Sequence, residues 1–390
     1  MARSILNVLD LSMSEIDELM AVAEDIERHP EKYQDACRHK ILATLFFEPS
    51  TRTRLSFESA MLSLGGSVLG FSNANSSSAT KGETVADTVT VVSGYADVIA
   101  MRHPKEGAAF VAGRHAFIPV INAGDGWHYH PTQTLADLLT IHKNKGRFEG
   151  LTIGLCGDLK YGRTVHSLIG AMARYAGVKF VLISPEELRL PEFVRTAYID
   201  KTDTPCKECR SLDEAIGELD VLYMTRVQKE RFANEAEYEK LKDVYVLDEE
   251  KMARAKNDMI VLHPLPRVNE IAVEVDRDPR AKYFEQTRCG RLMRMALILK
   301  LLGLHPDENS GFAGGAETGA QAESLHGKQE AKPDEEKAAC SQNGHTYTEN
   351  KDVCCKNPHC ITGAEQTLPH LFYRGEDGST YCAYCDALLK

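Results

Sequence analysis

Residues 46–58, Phe46-Phe47-Glu48-Pro49-Ser50-Thr51-Arg52-Thr53-Arg54-Leu55-Ser56-Phe57-Glu58, join an apolar, strand-like run (Ile41 to Phe47) to a helix whose apolar positions are Leu55, Ala60, Met61 and Leu64. A strand, a polar turn and a helix in that order form the repeating unit of a parallel α/β sheet. The turn holds Pro49 as a brake, Ser50 and Thr51 suited to N-capping, and Arg52 in the first helical turn. An arginine there opposes the positive end of the helix dipole. The cost is offset if a dense anion sits at the helix start, held by backbone N–H groups, hydroxyls and a guanidinium together. From these residues alone, an ordinary capped helix with solvent-facing arginines remains the alternative.

Short β-rich runs and helical patterns alternate outward from this stretch. Strands are expected at 41–47, 67–71, 97–101 and 117–122, with helices near 52–65, 83–93 and 106–114 between them. The pattern repeats after about residue 148, with strands near 151–157, 179–183, 220–225 and 259–263 and a helix following Gly162. Ser211-Leu212-Asp213-Glu214 reads as a capping box for a short helix. Residues 132–145 suit a helix bridging the two halves, and a last helix near 289–303 closes this part. The expected fold is α/β: two doubly wound parallel-sheet domains joined by a bridging helix, plus a small C-terminal β-rich domain. The expected divisions are 1–133, 134–304 with its last helix packing back on the first domain, a flexible linker over 305–339, and 340–390. The linker is rich in Gly, Ala and Glu and has almost no large apolar residues to offset its ordering entropy.

With 390 residues, 43% of them apolar, the chain can build two or three cores. A net charge of −11 without an extended basic run argues against nucleic-acid binding. Met1-Ala2-Arg3-Ser4 leads into a mixed amphipathic segment unlike a secretory leader, and no apolar run approaches the ~18 residues of a membrane span. A cytoplasmic protein is expected. Of the eleven cysteines, five are scattered through the first 304 residues and six crowd into the last 51. That distribution suits an intracellular enzyme with a metal-bearing tail better than a cross-linked secreted scaffold.

Further junctions place polar or cationic residues just after an apolar strand, where ligands of such folds bind. They are the Ser-rich loop from Asn75 to Thr84 with Ser77 and Lys81, then Met101-Arg102-His103-Pro104, then Asn122 to Gly126 leading to His130-Pro131-Thr132-Gln133. In the second half they are Gly157-Asp158-Leu159-Lys160-Tyr161-Gly162-Arg163-Thr164, Met224-Thr225-Arg226-Val227-Gln228 and His263-Pro264-Leu265-Pro266. A histidine at a helix start feels the positive dipole end, stays neutral and can donate one hydrogen bond to a carbonyl. A lone histidine is also commonly structural.

The order of these motifs (SxRTR, SxxxKGET, MRHP, HPTQ, DxKYGRT, TRVQ, HPLP) resembles the aspartate carbamoyltransferase catalytic chain over essentially residues 1–304. The related ornithine enzymes share the phosphate motif but typically carry an HCLP-type motif where this chain has His263-Pro264-Leu265-Pro266. The resemblance implies transfer of a carbamoyl group from carbamoyl phosphate to L-aspartate in pyrimidine biosynthesis. It implies that Ser50, Thr51, Arg52 and Thr53 hold the phosphate, and that Thr53, Arg102 and His130 contact the carbonyl oxygen where negative charge develops. Gln133 and the carbonyls of Pro264 and Leu265 would hold the carbamoyl NH2. Arg163 and Arg226, with Gln228 assisting, would clamp the aspartate carboxylates. Ser77 and Lys81 would reach the carbamoyl phosphate and, for Lys81, the aspartate of a neighbouring subunit, in a homotrimer that assembles further through the zinc domain. Arg52, Thr53, Lys81, Arg102 and His130 would be catalytic, with neither a nucleophile nor an organic cofactor.

In the tail, Cys355 and Cys360 followed by Cys382 and Cys385 make a Cx4C…Cx2C pattern. Two close pairs of thiolates suit a tetrahedral structural zinc ion, whose binding would be coupled to folding of so small a module. Paired disulfides are the alternative. Cys340 and Cys354 are surplus, and Cys206-Lys207-Glu208-Cys209 reads as two incidental thiols. Asn357-Pro358-His359-Cys360-Ile361-Thr362, with Ala364-Glu365, resembles the zinc domain of the aspartate carbamoyltransferase regulatory chain. That chain also carries a nucleotide-binding domain, for which the linker here leaves no room. The tail is expected to dock on a catalytic domain of its own or a neighbouring chain.

Overall fold

The computed structural model describes residues 3–226, 245–304, 345–350, 353–375 and 377–389. The expected linker, Gln228 and Cys340 lie outside them.

The first sheet holds β1 (Ile41–Phe46), β2 (Ser67–Phe71), β3 (Val98–His103) and β4 (Val120–Asp125), all parallel in the order β2-β1-β3-β4. Helices α1 (Met13–Arg28), α2 (Thr51–Ser63), α3 (Val85–Val92) and α4 (Ala108–His115) flank it. Helix α5 (Pro131–Lys145) leaves the end of β4 and leads into the second sheet. That sheet holds β5 (Thr152–Cys156), β6 (Lys179–Ile183), β7 (Cys206–Cys209), β8 (Val221–Met224) and β9 (Ile260–Leu262), parallel in the order β7-β6-β5-β8-β9. It is flanked by α6 (Arg163–Met172), α7 (Glu249–Arg254) and α8 (Tyr283–Leu302). Most strands are continuous buried runs, as parallel sheets covered on both faces require.

Each sheet reverses its winding direction once, between β1 and β3 and between β5 and β8. A crevice opens at the carboxyl ends of strands at such points. Helix α8 packs on α5, α1 and α2, tying the end of the second half to the first. Two elements depart from expectation. Helix α1 begins with a reciprocal capping box, Ser12 with Glu15, inside the segment that reads only as amphipathic. The CxxC at 206–209 is an edge strand, whose exposed middle residues explain why no apolar run marks it. Ser211 caps a single 3-10 turn, Leu212–Glu214, through the Asp213 amide.

The C-terminal unit is an antiparallel sheet of β10 (Thr348–Glu349), β11 (Leu371–Arg374), β12 (Thr380–Cys382) and β13 (Leu388–Leu389). Among the described residues it has no separate core: Tyr347, Ile361, Leu371 and Tyr384 are buried together with Ala108, Ala109 and Phe110 of α4. The Phe110 ring meets Tyr347 and Tyr384 edge-on at 5.3 and 5.4 Å between centroids. The tail therefore docks on the first domain of its own chain. Among the described residues no helix is long and apolar enough to cross a membrane.

Candidate active site and metal centre

Helix α2 starts at the carboxyl end of β1, and its start is not capped in the way its serine and threonine suggest. Ser50 occupies the N-cap but makes no capping bond; its Oγ donates instead to Thr53 Oγ1 at 3.0 Å. No acidic residue lies in the first turn. The first amides are thus left to an incoming anion, and the Arg52 guanidinium stands among them. Burial, and then repulsion from Arg102 and Arg226, pushes Arg52 below its ordinary range. Such a cation gains from an anionic ligand.

The ends of β3 and β4 bring Arg102 and His130 to the same place. Arg102 is buried and its Nη2 donates to Glu48 Oε1 at 3.1 Å. Gly124 has φ of +118°, and a Cβ there would lie 3.1 Å from Arg102 Nη1, 3.3 Å from His130 Cδ2 and 3.4 Å from Arg163 Cζ. Three site residues from two domains therefore converge over one glycine. Burial, then Arg163, Arg102 and Arg294, holds His130 far below the usual imidazole range. The neutral ring can donate one hydrogen bond, and its Nδ1 is buried without a partner.

From the second sheet, Asp158 Oδ1 accepts from the amides of Lys160 and Tyr161, shaping the turn that presents Arg163. Arg163 Nη1 donates to the carbonyl of Gly126. Helix α6 also lacks a side-chain cap. Arg226 follows β8 at the pocket wall. After β9, His263 Nδ1 accepts from the Leu265 amide at 2.8 Å, so its other nitrogen donates to Glu270 Oε1 at 2.7 Å. This pair fixes the Pro264-Leu265-Pro266 turn, in which Leu265 is left-handed (φ +52°) and the Leu265–Pro266 bond is cis.

Three contributors carry no sequence signal. Asp137 Oδ1 accepts from Gln133 Nε2 at 2.8 Å and from Gln286 Nε2 at 2.5 Å, and Gln286 Oε1 accepts from the His263 amide. The Gln133 amide is thereby turned so that its Oε1 is left as an acceptor. Burial pushes the Asp137 carboxyl up to about 7. Arg294 of α8 donates to Ser56 Oγ and Thr132 Oγ1 and lies over the Phe57 ring, 5.0 Å from its centroid.

These groups line one cavity of about 700 Å³. It brings together Ser50, Thr51, Arg52, Thr53, Arg102, His130, Gln133, Arg163, Arg226, Pro264 and Leu265. Among the described residues, its walls hold five arginines (52, 102, 163, 226 and 294) against two carboxylates, Glu48 and Asp158. Ser77 and Lys81 are not in its lining. Ser77 caps the 3-10 turn Ser78–Lys81, and Lys81 is exposed in the loop after edge strand β2.

The Sγ atoms of Cys355, Cys360, Cys382 and Cys385 lie within 4.8 Å of one another, with 3.5 Å between Cys355 and Cys385 and 3.9 Å between Cys360 and Cys382. Four thiolates about 2.3 Å from a zinc ion would stand ~3.8 Å apart, so the donor set fits a tetrahedral metal. Hydrogen bonds from Cys355 and the other two thiols push Cys360 below the ordinary thiol range. Thr362 Oγ1 donates to Cys360 Sγ at 3.2 Å. Cys354, exposed, stands apart beside His370.

The family described as "Aspartate/ornithine carbamoyltransferase, carbamoyl-P binding domain" matches residues 3–143, and "Aspartate/ornithine carbamoyltransferase, Asp/Orn binding domain" matches residues 149–301. The aspartate carbamoyltransferase catalytic subunit of Lachnoclostridium phytofermentans is 62% identical over 306 residues, 78% of this chain and 100% of that one. Its counterpart in Clostridium novyi is 60% identical over 302 residues, 77% of this chain and 98% of its own. Among solved structures, the catalytic subunit of M. jannaschii aspartate transcarbamoylase superposes with a TM-score of 0.72 at 45% identity, covering 79% of this chain and 99% of that one. The Trypanosoma cruzi aspartate transcarbamoylase in complex with carbamoyl phosphate and aspartate gives 0.71 at 40%, covering 76% and 94%. With both sheets matched and whole relatives covered at such identity, the chain belongs to the aspartate/ornithine carbamoyltransferase family, among its aspartate carbamoyltransferase catalytic subunits.

Proposed function

We propose that the chain transfers the carbamoyl group of carbamoyl phosphate to the α-amine of L-aspartate, giving N-carbamoyl-L-aspartate and phosphate for pyrimidine biosynthesis. The carrying observation is the convergence of Arg102, His130 and Arg163 over Gly124, beside the uncapped, arginine-bearing start of α2. The phosphate would sit on the α2 amides with Ser50, Thr51, Arg52 and Thr53. Gln133 Oε1, oriented by Asp137, and the carbonyls of Pro264 and Leu265 would take the carbamoyl NH2. Arg163 and Arg226, with Gln228, would hold the two aspartate carboxylates in bidentate fashion.

The neutral α-amine attacks the carbonyl carbon, forming the C–N bond while the carbonyl oxygen takes the negative charge. Thr53, Arg102 and His130 stabilise that oxyanion, each well-placed donor contributing roughly 3 kcal/mol. The C–O bond to phosphate then breaks, and the departing phosphate accepts the amine proton. Positioning and electrostatics suffice, with no covalent intermediate.

The chain would divide into a carbamoyl-phosphate domain (1–133), an aspartate domain (134–304), a linker (305–339) and a zinc domain (340–390) like that of the regulatory chain. Zinc on Cys355, Cys360, Cys382 and Cys385 would be structural. The enzyme would be cytoplasmic and form a homotrimer in which Ser77 and Lys81 complete a neighbour's site. Edge strand β2 is only half-covered, and Leu55 and Leu62 of α2 are exposed, which suits coverage by another copy.

Mixing inactive Lys81→Ala and Arg52→Ala chains tests the shared site. Random mixed trimers should regain about a quarter of wild-type activity, because each intact site can draw its two halves from different chains. No recovery after subunit exchange would place Lys81 in its own chain's site. Carbamoylation of ornithine in preference to aspartate would overturn the acceptor.

A further inference from the structure

The loop from Gly124 to His130 has two faces. One faces the pocket, where Trp127 and His130 form part of the wall. The other meets the cysteine domain. Trp127, the single tryptophan of the chain, packs at a 40° tilt against His359 with ring centroids 3.9 Å apart, and His359 adjoins Cys360. His128 Nε2 lies 2.9 Å from Asp386 Oδ2, and the Tyr129 hydroxyl donates to the same oxygen at 2.8 Å. Asp386 adjoins Cys385, and its Oδ1 accepts from Tyr373 at 2.9 Å. The three residues preceding His130 are therefore each held by a residue next to a cysteine of the cluster.

The backbone is built for this approach. Glu106 N donates to the His359 carbonyl and Ile361 N donates to the Glu106 carbonyl, both at 2.9 Å. Gly107 has φ of +83°, and a Cβ there would lie 2.5 Å from the Tyr384 carbonyl oxygen. Only glycine lets the cysteine domain come this close.

We propose that His359 and Asp386 are positioning residues for His130: the knuckle formed by the four-cysteine cluster (Cys355, Cys360, Cys382 and Cys385) and its adjoining residues fixes Trp127, His128 and Tyr129, and through them the imidazole that faces the reacting carbonyl. The kinetic part rests on the proposed aspartate carbamoylation, whereas the spectroscopic part does not.

The test uses the full-length, metal-loaded enzyme and the variants His359→Ala and Asp386→Asn, with carbamoyl phosphate and aspartate as substrates. Asparagine suits Asp386 because the residue is left-handed (φ +55°), a conformation asparagine tolerates. With metal content unchanged, Trp127 emission should shift in both variants. The kcat should fall by about tenfold or more, with little change in the KM for aspartate, since a misplaced donor is felt mainly in the transition state. Tyr129→Phe, which loosens the same bond from the loop side, should reproduce both effects even if a knuckle variant loses its metal. Wild-type emission and kcat in all three variants would overturn the proposal. If the wild-type enzyme makes no carbamoyl-aspartate, the proposed function fails, and Trp127 emission alone decides the coupling.

Discussion

The two faces of the Gly124–His130 loop handle charge in opposite ways. On the pocket face, five arginines stand against two carboxylates, and the nearby imidazole is kept neutral. On the knuckle face, His128 lies between Asp125 and Asp386. Burial opposes its charge, yet the two carboxylates outweigh that cost and raise it to about 10. Among the described residues, one face keeps an excess of positive charge that suits an anionic ligand. The other pairs its imidazolium with carboxylates of the chain itself on folding. A protein can build both only by accepting that the first face is less stable than it could be.

The largest expected effect comes from removing a cation on the pocket face. Arg52→Ala should lower kcat/KM for carbamoyl phosphate by about 10³-fold. Because repulsion from Arg102 and Arg226 also disappears, the melting temperature should hold or rise. A lower melting temperature with activity retained would break the comparison. Arg226→Ala should raise the KM for aspartate by roughly 10–100-fold, as loss of a charge-assisted pair does, while that for carbamoyl phosphate changes little. Parallel losses for both substrates would contradict its assignment.

The smallest effect sharpens the comparison through pH. The Asp137 carboxyl lies near 7 in the folded chain against ~3.9 unfolded, so between these values the folded state binds more protons. Its contribution to stability is full below pH ~4, is lost as pH rises towards 7, and is flat above. Asp137→Asn removes that slope. The difference in melting temperature, wild type minus variant, should therefore fall by ~2–4 °C between pH 5 and pH 8. A constant difference would show that Asp137 is ionised throughout.

Where the sequence was legible, punctuation made it so. Proline, glycine, serine and arginine at the ends of β1, β3, β5 and β8 mark strand-to-helix turns, and the switch points gather those turns into one crevice. Arg294, Gln286 and Asp137 were illegible because their meaning lies in packing between α5 and α8. Gln286 and Asp137 are 149 residues apart and meet only in the fold. Arg294 sits in a helix buried on nearly every side, where no periodicity singles it out. Helix α1 was missed despite a readable signal, Ser12 and Glu15 ahead of Ile16, Leu19 and Met20. The absent side-chain cap at Ser50 could not be foreseen either: serine suits capping, and only the fold turns its hydroxyl to Thr53.

The knuckle and the catalytic body are one polypeptide, and that continuity has a physical consequence. Between separate molecules, the shared core around Phe110 and the two backbone hydrogen bonds at Glu106 would form only to the extent that concentration allowed. Tethered, the partners face each other at an effective concentration set by the connecting chain, whatever the amount of enzyme. Docking is then insensitive to expression level, and the stoichiometry of knuckle to active site cannot drift. What remains free to vary is whether the four cysteines hold a metal ion.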